Sequence, residues 1–147
     1  MPSRVDFYIL NSSRDQDRWS LLATLLTRQW PKGHRFHIHC SSKAECQSLD
    51  QFLWQHDILS FLPHHALEAD SSHLPQPDSP ITLGHEHAFP AEGDILVNFS
   101  PTLPDWIDTF ERVLEIVVQD PHWLDIQRQH YRVFKEKGLT PNIHRMG

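Results

Sequence analysis

Apolar positions along this chain alternate between a period of two and a period near 3.6, and the alternation lays out the elements. Val5-Asp6-Phe7-Tyr8-Ile9-Leu10 is a β-branched and aromatic run bounded by the polar turn Asn11 to Asp15, which predicts a first strand. Trp19, Leu22, Leu25, Leu26 and Trp30 then recur at helical spacing, and Pro31-Lys32-Gly33 stops that helix. Arg35 to Cys40 reads as a second strand, with Phe36, Ile38 and Cys40 on one face. Ser42 is placed to cap a second helix whose apolar stripe is Cys46, Leu49, Phe52 and Leu53. A short apolar segment, Phe61-Leu62-Pro63-His64, precedes a stretch from Glu68 to Pro80 rich in Ser, Pro, Asp and His, expected to be an exposed loop. Ile81 to Gly84 predicts a short strand. Asp94 to Phe99 is nearly all apolar, as a strand covered on both faces requires. Pro101 to Phe110 predicts a turn with one helical turn, and Arg112 to Val118 another strand. Pro121 opens a last helix that runs to Gly138. Strands alternating with helices imply an α/β fold with a mostly parallel sheet.

Composition narrows the class. With 147 residues, 39% apolar and 22% charged, the chain reads as one domain spanning 1–147, with enough mass for a core and too few charges for disorder. Its net charge of -6 makes the surface as a whole a poor binder of nucleic acid. The charge is uneven: from Pro121 onward five cations (Arg128, Arg132, Lys135, Lys137, Arg145) face two acids (Asp125, Glu136). A basic region on an acidic protein points to a local anionic partner. Cys40 and Cys46 fall in a strand and the following helix and form no disulfide framework. The apolar run Phe7 to Leu10 is too short for a signal peptide or a membrane span, so a reduced, cytoplasmic protein is expected.

Catalytic chemistry finds little support. A nucleotide site in a doubly wound sheet needs glycines after the first strand, so that backbone N–H groups can approach a phosphate at a helix start. Here the turn is Asn11-Ser12-Ser13-Arg14-Asp15, and neither a Walker lysine motif nor a nucleophile elbow occurs. Twelve histidines keep metal in view: His37 and His39 share a strand face, His85 and His87 repeat that spacing, and His64-His65 lies between them. Zinc requires three or four convergent ligands, and polar positions at the sheet's edge or rim account for the same pairs. Asp57, Glu68, Asp70 and Asp78 show no paired arrangement for acid–base work. No cofactor, metal or catalytic residue is expected; the alternative is a metal- or nucleotide-dependent enzyme of doubly wound fold.

The last helix is the most informative segment. At about 100° per residue, Trp123, Ile126, His130, Val133, Phe134 and Lys137 share a face expected to dock on the sheet, with Lys137 reaching water. Asp125, Gln129 and Glu136 share a solvated face. The third face, Leu124, Arg128, Tyr131, Arg132 and Lys135, holds three cations, an aromatic, an aliphatic and no acid. It fits either a solvated basic flank with Tyr131 as boundary packing, or a site for an anionic, partly apolar peptide end. In the second case an arginine holds a carboxylate and an apolar floor buries a side chain.

Several blocks resemble the bacterial DNA polymerase III chi family in the same order over nearly the whole chain. They are Phe7-Tyr8-Ile9-Leu10, Leu49-Asp50-Gln51-Phe52-Leu53-Trp54 followed by Ser60-Phe61-Leu62-Pro63-His64, Asp94-Ile95-Leu96-Val97-Asn98, and Arg128-Gln129-His130-Tyr131-Arg132-Val133-Phe134 with Gly138. The resemblance implies a single-domain Rossmann-like sheet with helices on both faces and no nucleotide-binding loop. It implies a clamp-loader adaptor without activity of its own, joined through the psi subunit and binding the acidic, Pro-Phe-ending C-terminal tail of single-stranded DNA-binding protein. By position, Val117, Arg128, Tyr131 and Arg132 would form the tail site, with Arg128 as carboxylate anchor. Leu124 belongs to the same face but stands where a family member has a cation, and Lys135 is the nearby candidate to compensate. Trp54, Phe61 and Pro63 would face psi, although burial in the core would explain the same aromatics. An accessory helicase is the alternative partner for the psi surface; strong direct nucleic-acid binding and membrane association are not expected.

Overall fold

The computed structural model describes residues 2–56, 64–66, 80–86 and 93–146. Strand β1 (Arg4–Leu10) leads into helix α1 (Asp15–Gln29) and a 3-10 turn over Trp30–Lys32. Gly33 follows at φ 92°, a left-handed conformation that glycine adopts without strain, so the chain reverses there. Strand β2 (Phe36–Cys40) leads to α2 (Lys43–His56), and β3 (His64–Ala66), β4 (Ile81–His85) and β5 (Ile95–Asn98) come next. A 3-10 turn at Ile107–Thr109 precedes β6 (Arg112–Val117), α3 (Pro121–Glu136) and β7 (Asn142–Met146). The seven strands among the described residues are all parallel, in the order β3-β4-β2-β5-β6-β1-β7.

Side-chain alternation sends each strand's apolar residues to two cores. On one face α1 and α2 bury Leu22, Leu26, Cys46, Leu49 and Leu53 against Phe36, Ile38, Ile81, Leu83, Val97 and Ile116. On the other, α3 and the 101–110 connection cover Val5, Phe7, Leu96, Val113 and Val117, with Phe110 and Phe134 between. Predicted helix ends are realised with identifiable bonds. Ser42 Oγ accepts from Glu45 N at 3.1 Å, and Glu45 Oε1 in return accepts from Ser41 N at 2.8 Å. Pro121 takes the first turn of α3 and the Asp120 carboxylate accepts from Trp123 N at 3.1 Å. Cys40 and Cys46 are free thiols buried in the first core; their mutual hydrogen bond and burial push the Cys40 thiol up, away from thiolate chemistry.

Two expectations change. His37 and His39 lie on the interior strand β2, not at a rim. His37 Nδ1 sits 2.8 Å from Thr82 Oγ1, and both rings pack edge-on to Trp106. The docked stripe of α3 is also rotated: Gln127, His130 and Phe134 are its buried residues, while Ile126 and Val133 are half-buried and Lys137 is exposed. Gln127 belongs there because its amide reaches the Ile116 carbonyl at 3.0 Å.

Two strands, β3 and β7, have no counterpart in the sequence reading. β7 is held by its ladder to β1 and by one polar cluster. Asp6, fully buried on β1, receives His144 Nε2 at 2.8 Å, Arg112 Nε at 2.8 Å and Arg4 Nε at 3.0 Å. Tyr8 stacks on His144 at 4.5 Å. Burial alone would raise the Asp6 carboxyl, but the bonds from His144, Arg112 and Arg4 outweigh it and hold it below the usual value. The stability this carries is present above the unfolded aspartate range near pH ~3.9 and is lost as pH falls through the lower folded value. Asp6→Ala is expected to cost on the order of 2 kcal/mol and to speed amide exchange of β7 ahead of the other strands, measured at neutral pH. Equal protection of β7 in variant and wild type would show that the ladder alone holds the strand.

Candidate functional site

A cleft of about 340 Å³ opens between α3 and the β6-β1-β7 edge of the sheet. Its floor follows from strand register. Val117, Ile9 and Arg145 lie side by side on β6, β1 and β7, and Phe7 lies beside Ile143 one alternation earlier. Helix α3 supplies Leu124, Gln127, Arg128 and Tyr131 as the facing wall, and Gln119 closes the carboxyl end. Tyr131 is fixed by an edge-to-face contact with Phe7, ring centroids 5.9 Å apart. Leu124, two helical turns back toward the carboxyl ends of the strands, packs half-buried on the same core. Arg128 is exposed on the wall and Val117 is buried in the floor.

The helix wall is set by a buried polar support. His130 Nδ1 lies 2.9 Å from both Glu115 carboxylate oxygens, and its Nε2 lies 2.9 Å from the Pro101 carbonyl. Both ring nitrogens thus face acceptors, so the imidazole is held with two N–H groups. Burial pulls His130 down, yet the Glu115 bond and charge with the Pro101 carbonyl outweigh it and raise its pKa. Beside it the Arg18 guanidinium, buried at the start of α1, is sandwiched between Phe99 at 5.1 Å and Trp123 at 4.4 Å, with Asp15 at 3.3 Å.

Of the six residues predicted for a peptide-end site, the structure brings Val117, Leu124, Arg128 and Tyr131 into one cleft. Arg132 and Lys135 are exposed on α3 outside its lining, with Lys135 Nζ 3.5 Å from Thr140 Oγ1. Sequence reasoning missed the sheet half of the cleft, Phe7, Ile9, Ile143 and Arg145, together with Gln119 at its end and Gln127 on the helix wall. The alternation of Ile143 and Arg145 was the available signal, too short and polar to read as a strand without the ladder to β1. For the other predicted surface, Trp54 stands on α2 with 52% of its surface exposed, so about half of it faces solvent. Phe61 and Pro63 lie outside the described residues.

A second cleft, about 430 Å³, lies at the carboxyl ends of β2, β4 and β5, where open α/β sheets commonly hold ligands. Its lining carries Glu86 and Asp105 beside Ser41, Ser100 and Thr102, and two carboxylates repel phosphate. The first strand-to-helix turn is equally unsuited. Asp15 and Asp17 occupy the first turn of α1, and Ser12 bonds Asp17 and receives Arg14 N at 3.0 Å, so the turn is closed on itself. Among the described residues no three His, Cys, Asp or Glu side chains are grouped to hold a metal, and His87 falls outside them. No described helix is long and apolar enough to cross a membrane.

An all-parallel sheet with helices on both faces and no phosphate loop defines a Rossmann-like α/β domain. The C-terminal domain of the DEAD-box protein Dbp5 shares this fold, with a TM-score of 0.60, 12% identity, and coverage of 96% of this chain and 91% of that one. Sequence comparison is more specific. Residues 1–142 match the family described as DNA polymerase III chi subunit, HolC, and the chain belongs to that family. It is similar to the DNA polymerase III subunit chi of Pseudomonas aeruginosa, 29% identical over 144 residues, covering 98% of this chain and 97% of that protein. The same-named protein of Haemophilus influenzae is 25% identical over 147 residues, with full coverage of both. That of Escherichia coli is 23% identical over 141 residues, covering 92% of this chain and 93% of that protein.

Proposed function

We propose that this protein is a non-catalytic accessory subunit of the bacterial DNA polymerase III clamp-loader complex. It works in the cytoplasm and bridges the psi subunit to the acidic C-terminal tail of single-stranded DNA-binding protein. The observation that carries the tail reading is the cleft of α3, where Arg128 stands beside Leu124 and Tyr131 over an apolar floor of Phe7, Ile9 and Val117 with no acid in the lining. A peptide ending in Phe offers a ring for the floor and a carboxylate for the arginine. Titration with a peptide copying such an acidic, Phe-terminated tail tests it: saturable binding at one site per chain is expected. Absence of binding, or a stoichiometric ATP or zinc signal in its place, would return the enzyme alternative.

Trp54 supports the psi reading, because a large exposed aromatic is a favoured interface anchor. Trp54→Ala is expected to lower the melting temperature only slightly, since about half of the residue already faces water, and to weaken psi binding at least about fivefold, an effect of ~1 kcal/mol. Tail-peptide binding should be unaffected, since independent sites behave additively. A psi pull-down beside a melting curve decides; undiminished psi binding would move that surface away from α2.

A further inference from the structure

We infer that Arg145 is the second anion-binding group of the α3 cleft, taking a side-chain carboxylate of the bound peptide while Arg128 takes the terminal one. The inference rests on the peptide-binding reading above and adds to it a residue, an element and a charge requirement on the ligand. Its first ground is placement. Arg128 and Arg145 are the charged residues of the lining, one on the helix wall and one on β7, with no carboxylate among the groups between them. Register sets Arg145 beside Ile9 on β1, at the same level of the floor as Val117.

The second ground is partnership. Arg4, Arg18 and Arg112 each hold an aspartate, whereas among the described residues Arg128 and Arg145 form no ion pair. Two cations facing one cleft without a counter-charge repel each other, and an anionic ligand removes that repulsion. The third ground is the floor. Ile143, two positions before Arg145 on the same face of β7, is 43% exposed at the cleft, an apolar residue left open beside a cation. A ring seated on Phe7, Ile9, Val117 and Ile143 would have Arg128 on the α3 side and Arg145 on the β7 side, so a ligand with two anionic groups can engage one arginine on each side. The match to the family ends at residue 142, so Ile143 and Arg145 lie beyond it.

The test uses the full chain and three peptides: the acidic Phe-terminated sequence, the same sequence with its Asp residues changed to Asn, and the acidic sequence with an amidated terminus. Arg145 is exposed, so Arg145→Ala and Arg145→Glu should melt as wild type does. Arg145→Ala should weaken the acidic peptide about three- to fivefold, the range of a partly exposed charge pair, and Arg145→Glu by more. The loss should vanish on the Asn peptide and persist on the amidated one. If wild type binds and Arg128→Ala weakens binding, but both Arg145 variants bind as wild type does, the Arg145 assignment is overturned while the peptide-site reading stands. A loss that tracks amidation and ignores the Asn changes overturns the division between the arginines. No binding by wild type overturns the site and this inference together.

Discussion

Arg128→Ala is expected to weaken binding of an acidic, Phe-terminated peptide by roughly tenfold to a hundredfold, equivalent to ~1.5–3 kcal/mol for a hydrogen bond to a charged group. The size follows from where the group stands. Arg128 is exposed, so the free protein holds its guanidinium hydrated at little cost, but the peptide's ring displaces water from the floor beside it. A carboxylate delivered next to that ring is shielded on one side by Tyr131 and Leu124 and meets the cation in a lower dielectric than bulk water gives. Amidating the peptide removes the same interaction from the other partner, so the two changes together should cost less than their sum. Arg132→Ala should cost less than about threefold and lose even that effect at high salt, because Arg132 stands outside the lining where charges are screened. The fold should not change in either variant, which melting curves check. Wild-type affinity in Arg128→Ala, or losses that simply add, would place the carboxylate elsewhere.

The legible part of this protein was the part governed by periodicity. Central strands such as Ile95–Asn98 and Arg112–Val117 are apolar runs with few alternatives, and Pro121 and Gly138 bracket α3 for backbone reasons that do not depend on tertiary context. The helix half of the cleft was legible for the same reason, since the third face of α3 stands out by its lack of acids. The sheet half was not. Asn142–Met146 is polar and alternating, and it becomes a strand because β1 offers a free edge and Asp6 a buried carboxylate for His144. Neither is visible locally. The rotation of α3 has a similar origin: an amphipathic count favours Ile126, but Gln127 can satisfy the Ile116 carbonyl and Ile126 cannot. His37 and His39 were misplaced because histidine on an inner strand is tolerated only with partners such as Thr82 and Trp106, and these come from β4 and the 101–110 connection.

The largest effect on stability is expected at His130. His130→Ala leaves the Glu115 carboxylate, 1% exposed, buried without its cation. Losing one partner of such a pair costs about 3–5 kcal/mol, a large share of the ~5–15 kcal/mol that holds a typical domain. A fall in melting temperature of roughly 10 °C is the expected reading. Changing both residues to apolar ones of similar volume should recover most of the loss, because no carboxylate is then left buried without its cation. The pH dependence identifies the proton. The His130 imidazole is raised by Glu115 and Pro101 against the pull of burial, and burial raises the Glu115 carboxyl against the pull of His130, Gln127 and Arg18. The folded pair therefore holds its proton more tightly than the unfolded chain does. Its contribution is fully present below the unfolded histidine value near ~6.5 and declines as pH rises through the higher folded value. Urea midpoints measured from pH 6 to pH 9 should fall in the wild type and stay nearly flat in the doubly apolar variant. The same slope in both would mean that the alkaline loss arises outside this pair, and that α3 is seated on the sheet by Phe134 and its apolar neighbours alone.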